Sequence, residues 1–259
     1  MKIAVTGRDS GRIRERLLSL GAVVLSCDIT NIEEVEREIR RVRPDVIVHA
    51  AAVTSVEECH RDYEKAILVN VRGTNHVCEA AANVLGDGQV VLLSSDHVFD
   101  GKRGKYKEDD EPNPAPNEEY GMTKLGAEGI VQLYGGKVIR MSKGISANDK
   151  DIRVVMNGGY KDVPTFIRRS YCHLDYMAVG IWNYANRFEE MPEMLHLAGT
   201  EVLSFYELMS MITKDVEPRD YELDGFAPRP FNCGLDVSLA RKYGIPLFTP
   251  KQSIERLLL

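Results

Sequence analysis

The chain opens on Lys2–Ile13, KIAVTGRDSGRI, and this stretch decides the fold class. Lys2–Thr6 is a short apolar run typical of a buried strand, and Gly7 and Gly11 follow it, directly before a segment with helical periodicity. Glycines at such a turn let the backbone approach a pyrophosphate, and the helix N-terminus offers free N–H groups. The stretch predicts the first strand, turn and helix of a dinucleotide-binding fold, although its spacing, TGxxxG, departs from the usual GxGxxG.

The same alternation of strand and helix continues outward from this stretch. Further strands are predicted over Ala22–Cys27, Asp45–His49, Gln89–Ser94 and Lys137–Arg140. Helices are predicted over Gly11–Leu20, Ile32–Val42 (capped by Thr30 or Asn31), Val56–Val69, Thr74–Leu85 and Glu118–Tyr134. Apolar strands that alternate with helices form a parallel sheet covered on both faces. We therefore predict an α/β fold with a doubly wound parallel sheet (Rossmann fold) over residues 1–145.

The second half of the chain has a weaker pattern. Helices are predicted over His173–Phe188 and Ser204–Lys214, where Ser204 as N-cap and Glu207 form a capping box. Four prolines, at 228, 230, 246 and 250, interrupt the C-terminal stretch. Residues 146–259 are therefore interpreted mainly as a small C-terminal substrate lobe that interleaves with the sheet domain.

Composition excludes several classes of protein. The chain has 259 residues, a net charge of −6 and no basic run, which argues against a nucleic-acid partner. It has no apolar run long enough to span a membrane, and its N-terminus resembles no signal peptide. The five cysteines form no CxxC and no zinc-site spacing, so we predict no metal site, reduced thiols and a cytoplasmic location.

One group of residues could carry chemistry. Tyr120 and Lys124 stand four residues apart, which places them one turn apart on the same face of a helix. A neighbouring cation favours the phenolate, so we expect a lowered pKa for Tyr120 and a role as general acid or base. Ser95 comes at the end of the preceding strand, at the sheet edge where open α/β sheets bind ligands.

The sequence resembles the extended short-chain dehydrogenases (the NAD-dependent epimerase/dehydratase superfamily) and, within them, the dTDP-4-dehydrorhamnose reductases. The matching segments are CDITN at 27–31, RPDVIVHAAAVTSVEEC at 43–59, VNVRGT at 69–74, SSDHVFDGKRGKYKEDDEPNPAPNEEYGMTKLGAE at 94–128, HLAG at 196–199 and RPFNCGLDVSLARKYGI at 229–245. Together they span most of the chain. The resemblance is strongest through the first 145 residues.

The resemblance implies a reductase that transfers hydride from NAD(P)H to a nucleotide-linked 4-keto sugar. Its catalytic residues would be Ser95, Tyr120 and Lys124, with Tyr120 as proton donor. The cofactor residues implied are Gly7, Arg8, Ser10, Gly11, Arg12, Ile13, Asp28, Ile29, Ala50, Ala51, Ala52, Thr54, Asn70, Tyr120 and Lys124. Those implied for the substrate are Ser95, His97, Val53 and Arg229.

Departures from the family pattern concern the substrate. Serine stands at Ser95, where the reductases usually carry threonine, and His97 and Val53 stand where they usually carry tyrosine. His97 is interpreted as a sugar contact; the alternative is a histidine packed beneath the sheet edge. The segment 146–162 is shorter than in the family, so the identity of the sugar is left open.

Cofactor choice and function retain alternatives. Asp28 could bind a ribose 2′-hydroxyl and select NADH, whereas Arg8 and Arg12 could pair with a 2′-phosphate, which favours NADPH. A nucleotide-sugar C4 epimerase uses the same three catalytic residues. A non-catalytic, dinucleotide-binding regulatory subunit, as in methionine adenosyltransferase, is the other alternative. The sequence determines no oligomeric state, and a homodimer is compatible with it.

Overall fold

The computed structural model describes residues 1–7, 11–86, 88–159, 161–220 and 229–259. Its strands are β1 Ile3–Thr6, β2 Val23–Leu25, β3 Val46–His49, β4 Val90–Ser95, β5 Lys137–Met141, β6 Gly144–Ile145, β7 Asp162–Pro164, β8 Arg168–Arg169, β9 Cys172–His173, β10 Met194–Leu197, β11 Leu203–Ser204 and β12 Glu217–Arg219. Its α-helices are α1 Arg12–Ser19, α2 Ile32–Val42, α3 Val56–Arg61, α4 Tyr63–Ala66, α5 Gly73–Leu85, α6 Glu119–Leu133, α7 Lys150–Met156, α8 Leu174–Asn186, α9 Phe205–Ser210, α10 Ser238–Lys242 and α11 Pro250–Leu257.

Six parallel strands form the central sheet, in the order β2-β1-β3-β4-β5-β10. The predicted doubly wound sheet is therefore confirmed. The strand order reverses between β1 and β3, and open α/β sheets bind ligands at the carboxyl ends of the strands beside such a reversal. The sixth strand, β10, comes from the C-terminal half of the chain, where the sequence predicted no strand.

Alternate residues of the strands pack on opposite faces of the sheet, as a pleated strand requires. Ile3 and Val5 of β1 belong to an apolar cluster with Leu17 of α1 and Ile181 of α8. Ala4, between them, packs in a second cluster with residues of α2, α5 and α6. Because both faces are covered, β1, β3 and β4 are buried along their whole length.

A third apolar cluster forms the core of the C-terminal lobe. It joins Ile152 and Val155 of α7 with Leu208 of α9 and Ile254 of α11. The helix α8 and the strand β10 lie in the sheet domain, although they come from the same half of the chain. The two parts therefore interleave in sequence.

Helix boundaries depend on local caps. Asn31 is the cap of α2, because its side chain accepts from the N–H groups of Glu33 and Glu34. The capping box of Ser204 and Glu207 is confirmed, although its helix ends at Ser210. The single helix predicted over Val56–Val69 is wrong: it breaks at Asp62, whose backbone is not helical and whose side chain caps the next turn. A π-helical segment, Ile67–Arg72, then leads into α5.

Candidate active site

The turn after β1 begins with a backbone conformation that favours glycine. Gly7 has a φ of 128°, and a Cβ atom built on it would meet nothing within 4 Å. Gly11 is the N-cap of α1 and has no side chain with which to cap the first N–H groups of that helix. Arg8 and Ser10, which the sequence also assigned to the cofactor, lie outside the described residues.

A buried network holds the ends of β1 and β3 beside this turn. The Thr6 hydroxyl accepts hydrogen bonds from the N–H groups of Ala50 and Ala51 and lies 2.8 Å from Nδ1 of His49. Nε2 of His49 lies 3.0 Å from the hydroxyl of Thr74, which itself donates to the Asn70 carbonyl. Burial lowers the pKa of His49 to about 3, so this histidine is neutral at physiological pH.

Asn70 supports the segment that follows Ala50–Ala52. Its amide accepts from Val53 N and donates to Val53 O and to the hydroxyl of Thr123 on α6. The side chain is 1% exposed, so these contacts with protein use the amide fully. Asn70 thereby fixes the backbone of Val53, directly after Ala50–Ala52, and joins it to α6. Thr54, next along, is exposed.

Asp28 and Ile29 lie after β2. The Asp28 carboxylate accepts from the N–H and the hydroxyl of Thr30, which closes a local turn. Ile29 is buried, and its side chain lies so close to Gly73 that a Cβ atom there would come within 2.7 Å of it. Ile29 therefore packs the start of α5 against the end of β2.

Ser95, Tyr120 and Lys124 meet where β4 ends and α6 begins. Ser95 is the last residue of β4, and its hydroxyl lies close enough to the Tyr120 phenol to lower the pKa of that group. Lys124 follows Tyr120 by one helical turn and is only 3% exposed. Within the described ranges its ammonium has no hydrogen-bond or ion-pair partner. The structure thus brings together the three residues that the sequence selected.

The pKa values of this pair correct one expectation. Burial raises the pKa of Tyr120, and the carboxylates of Asp96 and Glu118 raise it further. The Ser95 hydroxyl lowers this pKa, but by less than burial raises it. Burial also lowers the pKa of Lys124 to about 8. The expected lowering of the Tyr120 pKa is therefore wrong for this structure, because removal of the phenolate from water outweighs the lowering by the Ser95 hydroxyl. Tyr120 is a protonated acid here.

His97 lies in the same site with a carboxylate behind it. Its Nδ1 is 2.9 Å from Oε1 of Glu118, whose side chain is completely buried. Its ring meets the Tyr120 ring edge-on, with centroids 5.4 Å apart, and its backbone N–H donates to the Ser95 hydroxyl. His97 therefore borders two of the three central residues.

Arg229 and Val53, which the sequence assigned to the substrate, each have a defined partner. Arg229 forms an ion pair with Glu57 on α3 and is partly exposed. Val53 is half-buried, and its backbone is fixed by Asn70.

Arg12 is engaged elsewhere than expected. Its guanidinium makes two hydrogen bonds, of 2.7 and 2.9 Å, to the carboxylate of Asp175 on α8, which also receives Arg256 of α11. Because Nε and one terminal nitrogen of this guanidinium already bind Asp175, they are not free to bind a 2′-phosphate as the sequence suggested. The next residue, Ile13, packs against the sheet.

The five cysteines are all buried, and none of them forms a disulfide bond. In the part of the chain that the structure describes, no group of three or more histidine, cysteine, aspartate or glutamate side chains could hold a metal ion. Nor does any helix there have the length and apolar character needed to cross a bilayer.

The residues present fit a dinucleotide. Gly7 takes a conformation suited to close approach, α1 begins after a glycine N-cap, and small side chains follow β3 at Ala50–Ala52. The buried ammonium of Lys124 has no hydrogen-bond partner among the described residues, so it could donate to a ribose hydroxyl.

Comparison with known proteins identifies the family. The model of the RmlD substrate binding domain matches residues 1–163. A dTDP-4-dehydrorhamnose reductase of Sinorhizobium fredii is 34% identical over an alignment of 303 residues that covers all of this chain and 97% of that protein. The chain belongs to the RmlD substrate binding domain family.

Other members and relatives of the RmlD family match over shorter lengths. The dTDP-4-dehydrorhamnose reductase of Aggregatibacter actinomycetemcomitans is 36% identical, over 51% of this chain and 42% of that protein. The chain thus spans less than half the length of that relative. The methionine adenosyltransferase 2 subunit beta of Xenopus tropicalis is 28% identical, over 82% of this chain and 69% of that protein.

Solved structures share the RmlD family's fold. A hypothetical dTDP-4-dehydrorhamnose reductase of Sulfolobus tokodaii superposes with a TM-score of 0.82 at 29% identity, covering 96% of this chain and 97% of that one. The Bacillus anthracis enzyme, solved in complex with NADP, superposes with a TM-score of 0.84 at 23% identity, covering 100% and 98% of the two chains.

Sequence reasoning missed the side chains that support this RmlD-family site. Glu118 precedes Tyr120 by two residues. A carboxylate at the start of a helix is typical of an N-cap, and Glu118 is indeed the N-cap of α6. Arg169 and Asp175 lie far along the chain from the residues they contact. No local pattern could have connected them, although HLDYMA at 173–178 does show an acidic residue, Asp175, in the first turn of α8.

Proposed function

We propose that this chain is an NADPH-dependent reductase of a nucleotide-linked 4-keto sugar, in which Tyr120 donates the proton. The observation that carries the proposal is the meeting of Ser95, Tyr120 and Lys124 at the carboxyl edge of the sheet. Membership of the RmlD family and the full-length match to a dTDP-4-dehydrorhamnose reductase supply the substrate class.

Each residue would have a distinct part. Ser95 would hold the keto oxygen by a hydrogen bond, and Tyr120, protonated at neutral pH, would donate its proton as negative charge develops there. Lys124 would bind a ribose hydroxyl of the cofactor and stabilise the phenolate that the donation leaves. The bound cofactor supplies the hydride. The cofactor would be held by a groove, to which Arg8 and Ser10 would also contribute. The other residues of this groove would be Gly7, Gly11, Ile13, Asp28, Ile29, Ala50–Ala52 and Thr54. Arg12 would support the groove through Asp175.

Substrate contacts are proposed for Ser95, His97, Val53 and Arg229. The first two are joined through the His97 backbone, which supports their acting on the same group. We propose NADPH as the preferred cofactor, with NADH as the alternative. A homodimer and a cytoplasmic location also belong to the proposal, and five buried cysteines without a disulfide bond agree with a reducing compartment.

The test is NADPH oxidation with dTDP-4-dehydrorhamnose as substrate. The expected result is turnover that Tyr120→Phe lowers by about 100-fold or more, while the dissociation constant for NADPH changes only a few-fold. Tyr243→Phe, at the end of α10 and remote from the site, is the matched control and keeps full activity. Unchanged turnover in Tyr120→Phe would refute the assignment.

A dinucleotide-binding regulatory subunit is the second candidate. The similarity to the methionine adenosyltransferase 2 subunit beta over 82% of this chain favours it. The protein would then bind NADPH, oxidise none with the keto sugar, and change the kinetics of an added methionine adenosyltransferase. NADPH consumption with the sugar excludes this reading, and NAD retained through purification with interconversion of C4 epimers would indicate an epimerase.

A further inference from the structure

A second acid–base pair lies beside Tyr120, and the proposed reduction uses its histidine only as a substrate contact. Nδ1 of His97 is 2.9 Å from the Glu118 carboxylate, and Glu118 is completely buried whereas His97 keeps 16% of its side chain exposed. The carboxylate is thus behind the imidazole, on the side away from solvent. A carboxylate in this place orients a histidine.

The pair fixes the tautomer of His97. Glu118 also accepts a hydrogen bond from the N–H of Gly121, as an ionised carboxylate at a helix N-terminus does. An ionised carboxylate only accepts, so the hydrogen on the imidazole must be on Nδ1. Nε2 therefore carries the lone pair, and no described residue hydrogen-bonds to it.

His97 also borders the groups that would hold a carbonyl oxygen. Its backbone N–H donates to the Ser95 hydroxyl over 3.2 Å, and its ring edge meets the Tyr120 ring. A base in this setting is next to two hydroxyls that can stabilise negative charge on oxygen. That combination removes a proton from a carbon next to a carbonyl.

We propose that His97, oriented by Glu118, is a general base that exchanges the proton on a carbon flanking the keto group of the bound sugar. The C–H bond breaks and its proton goes to Nε2 of His97. The electron pair forms a C=C bond, and the carbonyl becomes an enolate whose oxygen is held by Ser95 and Tyr120. Return of a proton from the same nitrogen restores the ketone, on the same face or, if the sugar turns, on the other.

This inference rests on the proposed function, because it needs a keto sugar in the site, but its readout is independent of reduction. The protein is incubated in D₂O with dTDP-4-dehydrorhamnose and NADP⁺, which supplies no hydride, and deuterium at the carbons flanking the ketone is followed by NMR. We expect exchange above the rate in buffer alone. His97→Asn lowers the enzymatic rate by about 100-fold.

Glu118→Gln lowers the exchange rate by about tenfold or more, because the amide can present its N–H₂ to Nδ1 and reverse the tautomer. The matched control is His60→Asn. His60 pairs with Glu119 at 2.9 Å, one residue along from Glu118, but at the surface, so its loss leaves exchange unchanged. Binding of NADP⁺ within about threefold of the wild-type constant shows that His97→Asn is folded.

The outcomes separate the two proposals. Reduction with NADPH but no exchange above background overturns the role of His97 and leaves the reductase intact. Exchange that persists in His97→Asn also overturns it, because another group is then the base. If the protein neither reduces the sugar nor exchanges its protons, both the proposed function and this inference are overturned.

Discussion

The guanidinium of Arg169 lies 3.4 Å from the carboxylate of Asp96, and both side chains are almost completely buried. The two terminal nitrogens of Arg169 donate to the carbonyls of Arg168, Pro230 and Phe231. Asp96 follows Ser95 directly. A single arginine therefore joins the end of β4 to the backbone beside Arg229, and so ties the sheet domain to the C-terminal lobe.

Arg169→Met is expected to lower the free energy of unfolding by about 3–5 kcal/mol, because it leaves the Asp96 charge buried and unpaired. Urea denaturation measures the change. Arg168→Met is the control: its partner Glu207 is about half exposed, and such a surface pair contributes about 1 kcal/mol or less. Equal losses in the two variants would contradict the role given to Arg169.

Lys124→Met is expected to abolish turnover and yet stabilise the fold at pH 7. The pKa of Lys124 is about 8 in the folded protein against 10.5 ordinarily, so the unfolded chain binds the proton more tightly and the charge destabilises the native state below pH 8. The gain is about 3 kcal/mol at pH 7 and disappears as the pH rises from 8 towards 10.5.

Unfolding of Lys124→Met and wild type at pH 7 and pH 10 measures this difference. Lys251→Met, on the exposed face of α11, is the control and should give no gain that depends on pH in this way. A destabilised Lys124→Met at pH 7 would show that the ammonium is not desolvated as described.

Protonation of His49 makes the free energy of unfolding depend on pH. Its pKa is about 3 in the folded protein, whereas the unfolded chain takes up the proton near 6.5, so stability falls as the pH drops from about 6.5 towards 3. The contribution approaches about 1.4 kcal/mol per pH unit. His196, whose pKa burial also lowers to about 3, adds a similar slope.

The measurement is the free energy of unfolding of wild type, His49→Asn and His196→Asn between about pH 4.5 and 7, a range that begins between the folded and unfolded pKa values and ends just above the unfolded one. Each variant should be less stable at neutral pH and have a shallower pH slope. A variant slope equal to that of wild type would mean that the histidine is protonated in the folded state.

Gly121→Ala is expected to lower both stability and activity. A Cβ atom at Gly121 would overlap the His97 carbonyl and the Glu118 carboxylate, and forcing such an overlap costs about 1–3 kcal/mol. Gly129→Ala, on the same helix, meets nothing within 4 Å and should stabilise by about 0.5–1 kcal/mol. Thermal unfolding and NADPH oxidation of both variants test this, and an active, stable Gly121→Ala would disprove the close contact.

The sequence by itself determined the elements whose signal is local. Strands such as Val90–Ser95, buried on both faces, read as continuous apolar runs, and the capping box of Ser204 and Glu207 needs only three residues of spacing. The interval between Tyr120 and Lys124 likewise follows from helical periodicity. These features depend on neighbours in the chain, and the physics of a strand or a helical turn acts over the same short distances.

The tertiary structure alone decided what distant segments do to one another. It placed Met194–Leu197 in the sheet, paired Asp96 with Arg169, and put Glu118 behind His97. It also reversed the expected direction of the Tyr120 pKa, because desolvation is set by how many atoms surround a group and not by its neighbour one turn away. Burial and long-range charge arise only when the chain is folded, and no pattern of spacing contains them.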